Sequence, residues 1–229
     1  MIQERLNDAA IALHRVLGRE HIRFGIFGGY AIGATGGVRE SKGVDCLVSA
    51  SKAQIMQLLT SRHGFQAIPS RSRQEDHVAF QWSDRPDGRD AVVVAMYFER
   101  FPGSRHALGA GACNHVAIHG RSLGPGTSSF LKPFLLFKSK LCAAATRVSL
   151  HDSVDLRLLA RRHGAVIKCH AKELNLEHVG LAMKRYPDLG RLFEGLGVDV
   201  QKAMGRAQHL DPHHLPRPAS GDVQRGLLG

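Results

Sequence analysis

Apolar residues in the first half of the chain follow two different periods. From residue 2 to 17 they recur every three or four positions, which predicts a helix with one buried face, ended by Gly18. Further on, the runs are shorter and either continuous or alternating, which is typical of strands. The strands are predicted at 22–27, 44–48, 77–82, 91–98 and 114–119, and short helices at 29–35 and 52–62.

The second half of the chain has only the helical period. Helices are predicted at 128–147, 150–163, 171–186 and 189–207, with Thr127–Ser129 capping the first of them. The fold class is therefore α/β (α+β): a small mixed sheet flanked by helices, followed by a C-terminal helical bundle. We expect an α/β core at 1–126, a helical subdomain at 127–208 and a disordered, Pro- and His-rich tail at 209–229.

Composition narrows the possible partners. Lys and Arg number 31 against 20 Asp and Glu, which gives a net charge of +11. Such a surface favours polyanions, so a nucleic-acid partner stays open, although aromatic residues do not interleave with the basic ones as they do in an RNA platform. The chain has no apolar run long enough for a membrane span and no leader-like start, so we expect a cytoplasmic protein without a membrane partner.

The four cysteines carry no site of their own. None of them forms a C-x-x-C pair. Because a cytoplasmic protein keeps its thiols reduced, we expect free thiols rather than a zinc site or a disulfide framework.

A glycine pair separates the first predicted strand from the short helix after it. Gly28 and Gly29 would let a phosphate approach the backbone, and the start of a helix attracts negative charge. A tight strand–helix turn would explain the pair equally well. The segment that follows carries Arg39, Ser41 and Asp45, and Asp45 lies in the next predicted strand.

Together, these residues resemble the nucleotidyltransferase superfamily, which has the polymerase-β-like fold. The motif there reads Gly-Gly/Ser, then Arg-x-Thr-x-Asp-x-Asp, and Ser41 and Asp45 stand at the positions of the Thr and the second Asp. In that family two acids on one strand hold two divalent metal ions, which activate the attacking hydroxyl and the triphosphate. The resemblance implies that Mg²⁺ is the cofactor if the chain is a transferase.

Two of the three expected metal-binding acids are absent from the sequence. Gly43 stands where the family has its first Asp. The third acid should lie in the apolar run 91–98, where Val93 or Val94 takes its place and only Asp90 and Glu99 flank the run. Asp45 alone remains as a metal ligand, and one carboxylate is too few for two Mg²⁺ ions.

The second half resembles the helical part of bacterial AbiEii-like, minimal nucleotidyltransferases and their fungal relatives. Lys140 matches the lysine that these proteins point at the triphosphate, and Asp152 and Asp155 match their downstream acids. His151 replaces the usual Lys. Read without the resemblance, Lys140 could lie on a solvated helix face and Asp152 could cap the helix that starts at Leu150.

These residues predict a cleft between the sheet and the helix that carries Lys140. Its catalytic candidates are Asp45, Lys140 and Asp155; its candidates for ligand or phosphate binding are Gly28, Gly29, Tyr30, Arg39, Ser41 and Asp152.

Three functions compete for this cleft. The first is Mg²⁺-dependent nucleotidyl transfer to RNA or a small hydroxylated acceptor. The second is a degenerate site, a pseudoenzyme, that binds a nucleotide or another small molecule. The third is metal-free chemistry on an organic molecule, in which Lys140, Asp45, Tyr30 or a histidine acts as acid or base.

Overall fold

The computed structural model describes residues 3–37, 39–69, 75–216 and 219–229. The chain divides into two compact units: unit 1 runs to Lys132 and includes Leu228–Gly229, and unit 2 is Pro133–Leu227. Within the described ranges, no helix combines the length and the apolar character needed to cross a bilayer.

Unit 1 holds the sheet. Its elements, in chain order, are α1 (Gln3–Arg19), β1 (Phe24–Phe27), α2 (Gly28–Ala34), β2 (Gly43–Ser51), α3 (Lys52–Leu59), β3 (Phe65–Ala67), β4 (His77–Trp82), β5 (Val92–Arg100), β6 (Cys113–Gly120) and β7 (Gly124–Leu131). The strand order is β3-β4-β5-β2-β1-β7-β6. The β2–β5 and β1–β7 pairs are parallel and the other pairs are antiparallel, so the sheet is mixed as the sequence predicts.

Strand register decides which residues share a face with Asp45. Asp45 pairs with Phe27 of β1 and with Ala95 of β5, and Gly43 pairs with Val93. Since side chains alternate along a strand, paired residues point to the same side of the sheet. Val94 therefore points to the opposite, fully buried side, and of the two sequence candidates for the third acid position only Val93 faces the Asp45 side.

Helix α1 packs on the sheet through its apolar face. Its buried residues include Leu6, Leu13 and Leu17, as the helical period predicts. At β7 the approach is close: Ser128 Oγ donates to the Ala10 carbonyl at 2.8 Å, and a Cβ on Gly126 would lie 2.9 Å from the Ile11 side chain.

Unit 2 is helical. Its elements are α4 (Pro133–Thr146), α5 (Leu150–Cys169), a 3-10 turn (Ala171–Glu173), α6 (Leu176–Arg185), α7 (Leu189–Gly195), α8 (Val200–Arg206) and α9 (Asp222–Leu228). Phe137 and Phe193 meet edge to face in its core, with ring centroids 6.4 Å apart. Asn175 caps the start of helix α6, because its side-chain oxygen accepts from the backbone N–H groups of Glu177 and His178.

Several segments differ from the sequence prediction: β3 was not predicted, and the single helix predicted at 189–207 is the two helices α7 and α8. Residues 124–131 form β7 rather than the start of a helix, so Thr127–Ser129 do not cap one. The predicted disordered tail contains α9, in which Leu227 is buried. Leu210 and Leu215 also pack against Ala145, Leu181 and Ala207, so contacts within unit 2 order much of this segment.

The register predicts opposite outcomes for one substitution at two neighbouring positions of β5. Val94→Asp would bury a carboxylate and should cost about 3 kcal/mol or more in unfolding free energy. Val93→Asp should cost about 1 kcal/mol or less, because Val93 is 40% exposed. Urea unfolding followed by the fluorescence of Trp82, the single tryptophan, measures both. Equal losses would contradict the register.

Candidate functional site

The end of β1 and the middle of β2 bring Asp45 against the glycine pair. Gly28 has a φ of +75°, a conformation that side-chain-bearing residues avoid. A Cβ on Gly28 would lie 2.5 Å from Asp45 Oδ2, so the carboxylate occupies the space that a side chain there would need. The structure thus brings these two sequence-predicted residues into contact.

Arg39 lies beside the second glycine of the pair. A Cβ on Gly29 would lie 3.0 Å from Arg39 Cζ and 3.1 Å from Nη2, so the guanidinium covers the Gly29 backbone. Ser41 is close to Arg39 in the sequence, but its hydroxyl donates to the Gly43 carbonyl at 2.9 Å and so stabilises the start of β2. Gly28, Gly29, Arg39 and Asp45 form one group, which we call the glycine-pair site.

Tyr30 has a different environment from the one predicted. The side chain is buried, its hydroxyl donates to Asn7 Oδ1 at 2.9 Å, and its ring lies against Phe130. Burial, with a smaller contribution from Asp8, raises the pKa of Tyr30 well above its ordinary value, so the phenol stays protonated. These contacts are structural, and we leave Tyr30 out of the site.

No second carboxylate joins Asp45 among the described residues of this sheet face. At the first acid position, a Cβ on Gly43 would lie 2.6 Å from the Val93 carbonyl oxygen, so the backbone of β5 fills the place of a side chain. Glu99 is buried four residues beyond Ala95, about 13 Å along the strand, where it accepts from Ser49 and the Leu108 N–H. Asp90 precedes β5 and faces Arg85.

The residues present do not fit a two-metal centre. Among the described residues, no group of three or more His, Cys, Asp or Glu side chains is arranged to hold a metal ion. Mg²⁺ prefers several converging oxygen ligands, and Asp45 supplies one carboxylate. The predicted metal role of Asp45 therefore has no support from its neighbours.

In unit 2, the three remaining candidates form a buried ion-pair cluster with a fourth residue. Lys140 Nζ lies 2.7 Å from Asp155 Oδ2 and 3.2 Å from Asp152 Oδ1. Arg147 binds the other side of Asp152 in a bidentate pair, with Nε–Oδ2 at 2.7 Å and Nη2–Oδ1 at 2.9 Å. Lys140 is only 2% exposed, so it does not lie on a solvated helix face.

The charges of this cluster balance within it. Burial by itself would raise the pKa of Asp152, but the Arg147 hydrogen bonds and the charge of Lys140 outweigh burial and hold that pKa below its ordinary value. Both carboxylates face cations at ion-pair distance, so the Lys140 ammonium is already matched inside unit 2. That the glycine-pair site and this cluster line one cleft stays a prediction.

Arg147 is not among the site residues predicted from the sequence. Its position could have indicated the ion pair, because a basic residue just before a helix can reach an acid such as Asp152 in the first turn of that helix. The bidentate geometry could not be read from spacing alone.

Comparison with solved structures gives the class of fold. The chain superposes on the crystal structure of an antigenic nucleotidyltransferase-like protein from Paracoccidioides brasiliensis with a TM-score of 0.54 and 14% identity, over 83% of this chain and 93% of the other. It therefore has a nucleotidyltransferase-like fold, which confirms the fold that the sequence resemblance implied. Identity this low establishes the fold and leaves the chemistry to the residues.

Weaker similarities concern two other solved structures. ANT(2")-Ia in complex with adenylyl-2"-tobramycin gives a TM-score of 0.48 at 13% identity, over 78% of this chain and 97% of that one. MenT4, a nucleotidyltransferase toxin from Mycobacterium tuberculosis, gives 0.45 at 18% identity, over 97% and 86%. No protein-family model and no curated protein sequence matches the chain.

The contact at the first acid position predicts a cost for any side chain there. Gly43→Ala should lower the unfolding free energy of unit 1 by about 1–3 kcal/mol, because the Val93 backbone must move. Gly18→Ala in α1 is the matched control, since a Cβ there meets nothing within 4 Å, and it should cost nothing. Urea unfolding followed by Trp82 fluorescence compares the two variants. Equal losses of unfolding free energy would show that the β5 backbone moves aside at no cost.

The buried cluster predicts a pH-dependent loss of stability. Lys140→Met would leave two buried carboxylates with less compensation and should cost about 3–5 kcal/mol at pH 7. Lys172→Met, at an exposed lysine of the same unit, is the control and should cost less than about 0.5 kcal/mol. Circular dichroism during urea unfolding measures both variants.

The sign of the pH effect follows from the lowered pKa of Asp152. Its contribution to stability is complete above the ordinary value of 3.8 and is lost as pH falls through the lower folded value. Losing Lys140 removes one of the charges that lower the pKa of Asp152, so the deficit of Lys140→Met should shrink as the pH falls from 7 towards 4. A deficit that is constant with pH would show that lost packing, and not charge, explains it.

Proposed function

We propose that this chain is a nucleotidyltransferase-fold protein with a degraded two-metal site, which binds a phosphate-bearing or otherwise anionic small molecule at the glycine-pair site. The observation that carries the proposal is the contact at Gly43. The Val93 carbonyl stands where the first metal-binding acid would project, and Val93 and Ala95 face Asp45 without a carboxylate. Asp45 alone cannot supply the charge and oxygen ligands of two Mg²⁺ ions.

What remains of the site favours anion binding. Arg39 lies over Gly29, and a guanidinium offers a fork of donors that suits phosphate or carboxylate. Helix α2 is only seven residues long, so the proposal depends on Arg39 rather than on a helix dipole.

Metal-free acid–base chemistry has less support. Two of the side chains suggested for it are already engaged, Lys140 with two carboxylates and Tyr30 with Asn7.

The proposal predicts nucleotide binding that does not need metal. Isothermal titration with ATP, GTP, CTP and UTP should give binding of at least one of them in the presence of a chelator, and Mg²⁺ should not strengthen it. Arg39→Gln should weaken that binding about tenfold or more, as loss of a charge-assisted hydrogen bond does. Arg62→Gln, at an exposed arginine of the same unit, should leave it unchanged.

Active nucleotidyl transfer is the alternative outcome. It would appear as incorporation of labelled nucleotide into RNA or a small hydroxylated acceptor, dependent on Mg²⁺ and abolished by Asp45→Asn. That result would overturn the degraded-site proposal. If Trp82 fluorescence shows a folded protein and none of the nucleotides binds, the proposal of a phosphate-bearing ligand is overturned. Other anions would then be tested.

A further inference from the structure

A cavity of about 280 Å³ lies in unit 1 and shares no lining residue with the glycine-pair site. It is formed by the end of α1, the turn before β1, the loop before β6, and the first residues of β6. It lies at the Phe24 end of β1, whereas Asp45 pairs with Phe27 at the other end. We call it the histidine cavity; the side chains that matter here are His14, Arg23, Phe24, Leu108, Cys113 and His115.

Two imidazoles meet in this cavity. The rings of His14 and His115 are edge to face with centroids 5.3 Å apart, and His14 also lies 5.9 Å from the Phe24 ring. Burial, and then the proximity of His115, lower the pKa of His14, so its ring is neutral at pH 7. Its Nδ1 is buried and has no hydrogen-bond partner among the described residues, an unusual state for a buried polar atom.

The electrostatic character of the cavity is positive. None of the described residues that line it is acidic, and Arg23 is one of them. Burial raises the pKa of the Cys113 thiol, while Ser129, Lys132 and Arg23 act in the opposite direction, so two cations reach this position.

The one acid of the adjoining strand end is already engaged. Glu99 accepts from Ser49 and from the Leu108 N–H, and Arg100 lies 3.7 Å from it. It therefore anchors the loop above the cavity, and its carboxylate is already matched.

The apolar walls and the volume of the histidine cavity determine which uncharged part of a ligand it can hold. Phe24 and Leu108 are apolar and buried, and they flank the polar groups. The volume is just below the roughly 300–1,000 Å³ of sites for drug-sized ligands, so a single flat ring with one charged group is the size that fits.

We propose that the histidine cavity binds a small aromatic carboxylate. The carboxylate pairs with Arg23, and the ring lies against Phe24, Leu108 and the imidazole of His14. This site is independent of the proposed function, because it uses neither Arg39 nor Asp45.

Benzoate is the probe, and benzamide is its uncharged control. Titration of the full chain, followed by the imidazole resonances of labelled histidines, should give saturable shifts of His14 and His115 with benzoate, and at least tenfold weaker binding of benzamide. Arg23→Gln should weaken benzoate binding about tenfold, while Arg62→Gln and Arg39→Gln should not change it.

Three results would overturn the proposal: no saturable shift with benzoate, equal binding of benzamide, or equal affinity of Arg23→Gln and Arg62→Gln. His14→Phe keeps an aromatic ring against the ligand and removes only the ring nitrogens, so benzoate binding should persist in this variant. Should that variant fail to fold by Trp82 fluorescence, the exposed Arg23 still decides the outcome, because its replacement leaves the core intact.

Discussion

The antiparallel register of β1 and β2 is the constraint on which the glycine-pair site depends. It pairs Phe27 with Asp45, so the carboxylate stands beside the first residue after β1, which is Gly28. A slip of one residue would turn Asp45 into the buried side of the sheet and Cys46 out of it. The positive φ of Gly28 completes the arrangement, since any side chain there would meet the Asp45 carboxylate.

The parallel pairing of β2 with β5 leaves no room for a side chain at residue 43, which lies on the same face of the sheet as Asp45. It brings the Val93 carbonyl to 2.6 Å from where a Cβ of residue 43 would lie. The absence of the first acid is thus built into the strand packing and is more than a missing carboxylate. Restoring Asp at that position would require the β5 backbone to move as well, so regained metal binding cannot be expected from that substitution alone.

The sequence predicted elements that have their own periodicity and missed those that depend on partners. Helix α1 and strands β2, β4 and β5 carry a clear apolar pattern, and a motif placed Gly28 and Asp45 in one predicted site. Strand β7 begins Gly-Pro-Gly, which reads as a turn, and becomes a strand because β6 and β1 pair with it. Helix α9 likewise depends on tertiary contacts that no local pattern encodes, since its Leu227 is buried.

Some of the cations behind the net charge of +11 are paired inside the protein. Lys140 is matched inside unit 2 by Asp152 and Asp155, and Arg5 is matched inside unit 1 by Asp8 and Asp84. These buried cations cannot serve an external polyanion without breaking costly pairs. The surplus therefore resides in the more exposed cations, of which Arg39 lies over Gly29 and Arg23 lines the histidine cavity. A surface charge attracts any anion. An arginine with defined surroundings can also select an anion by its shape, which is why we propose selective anion binding at Arg39 and Arg23.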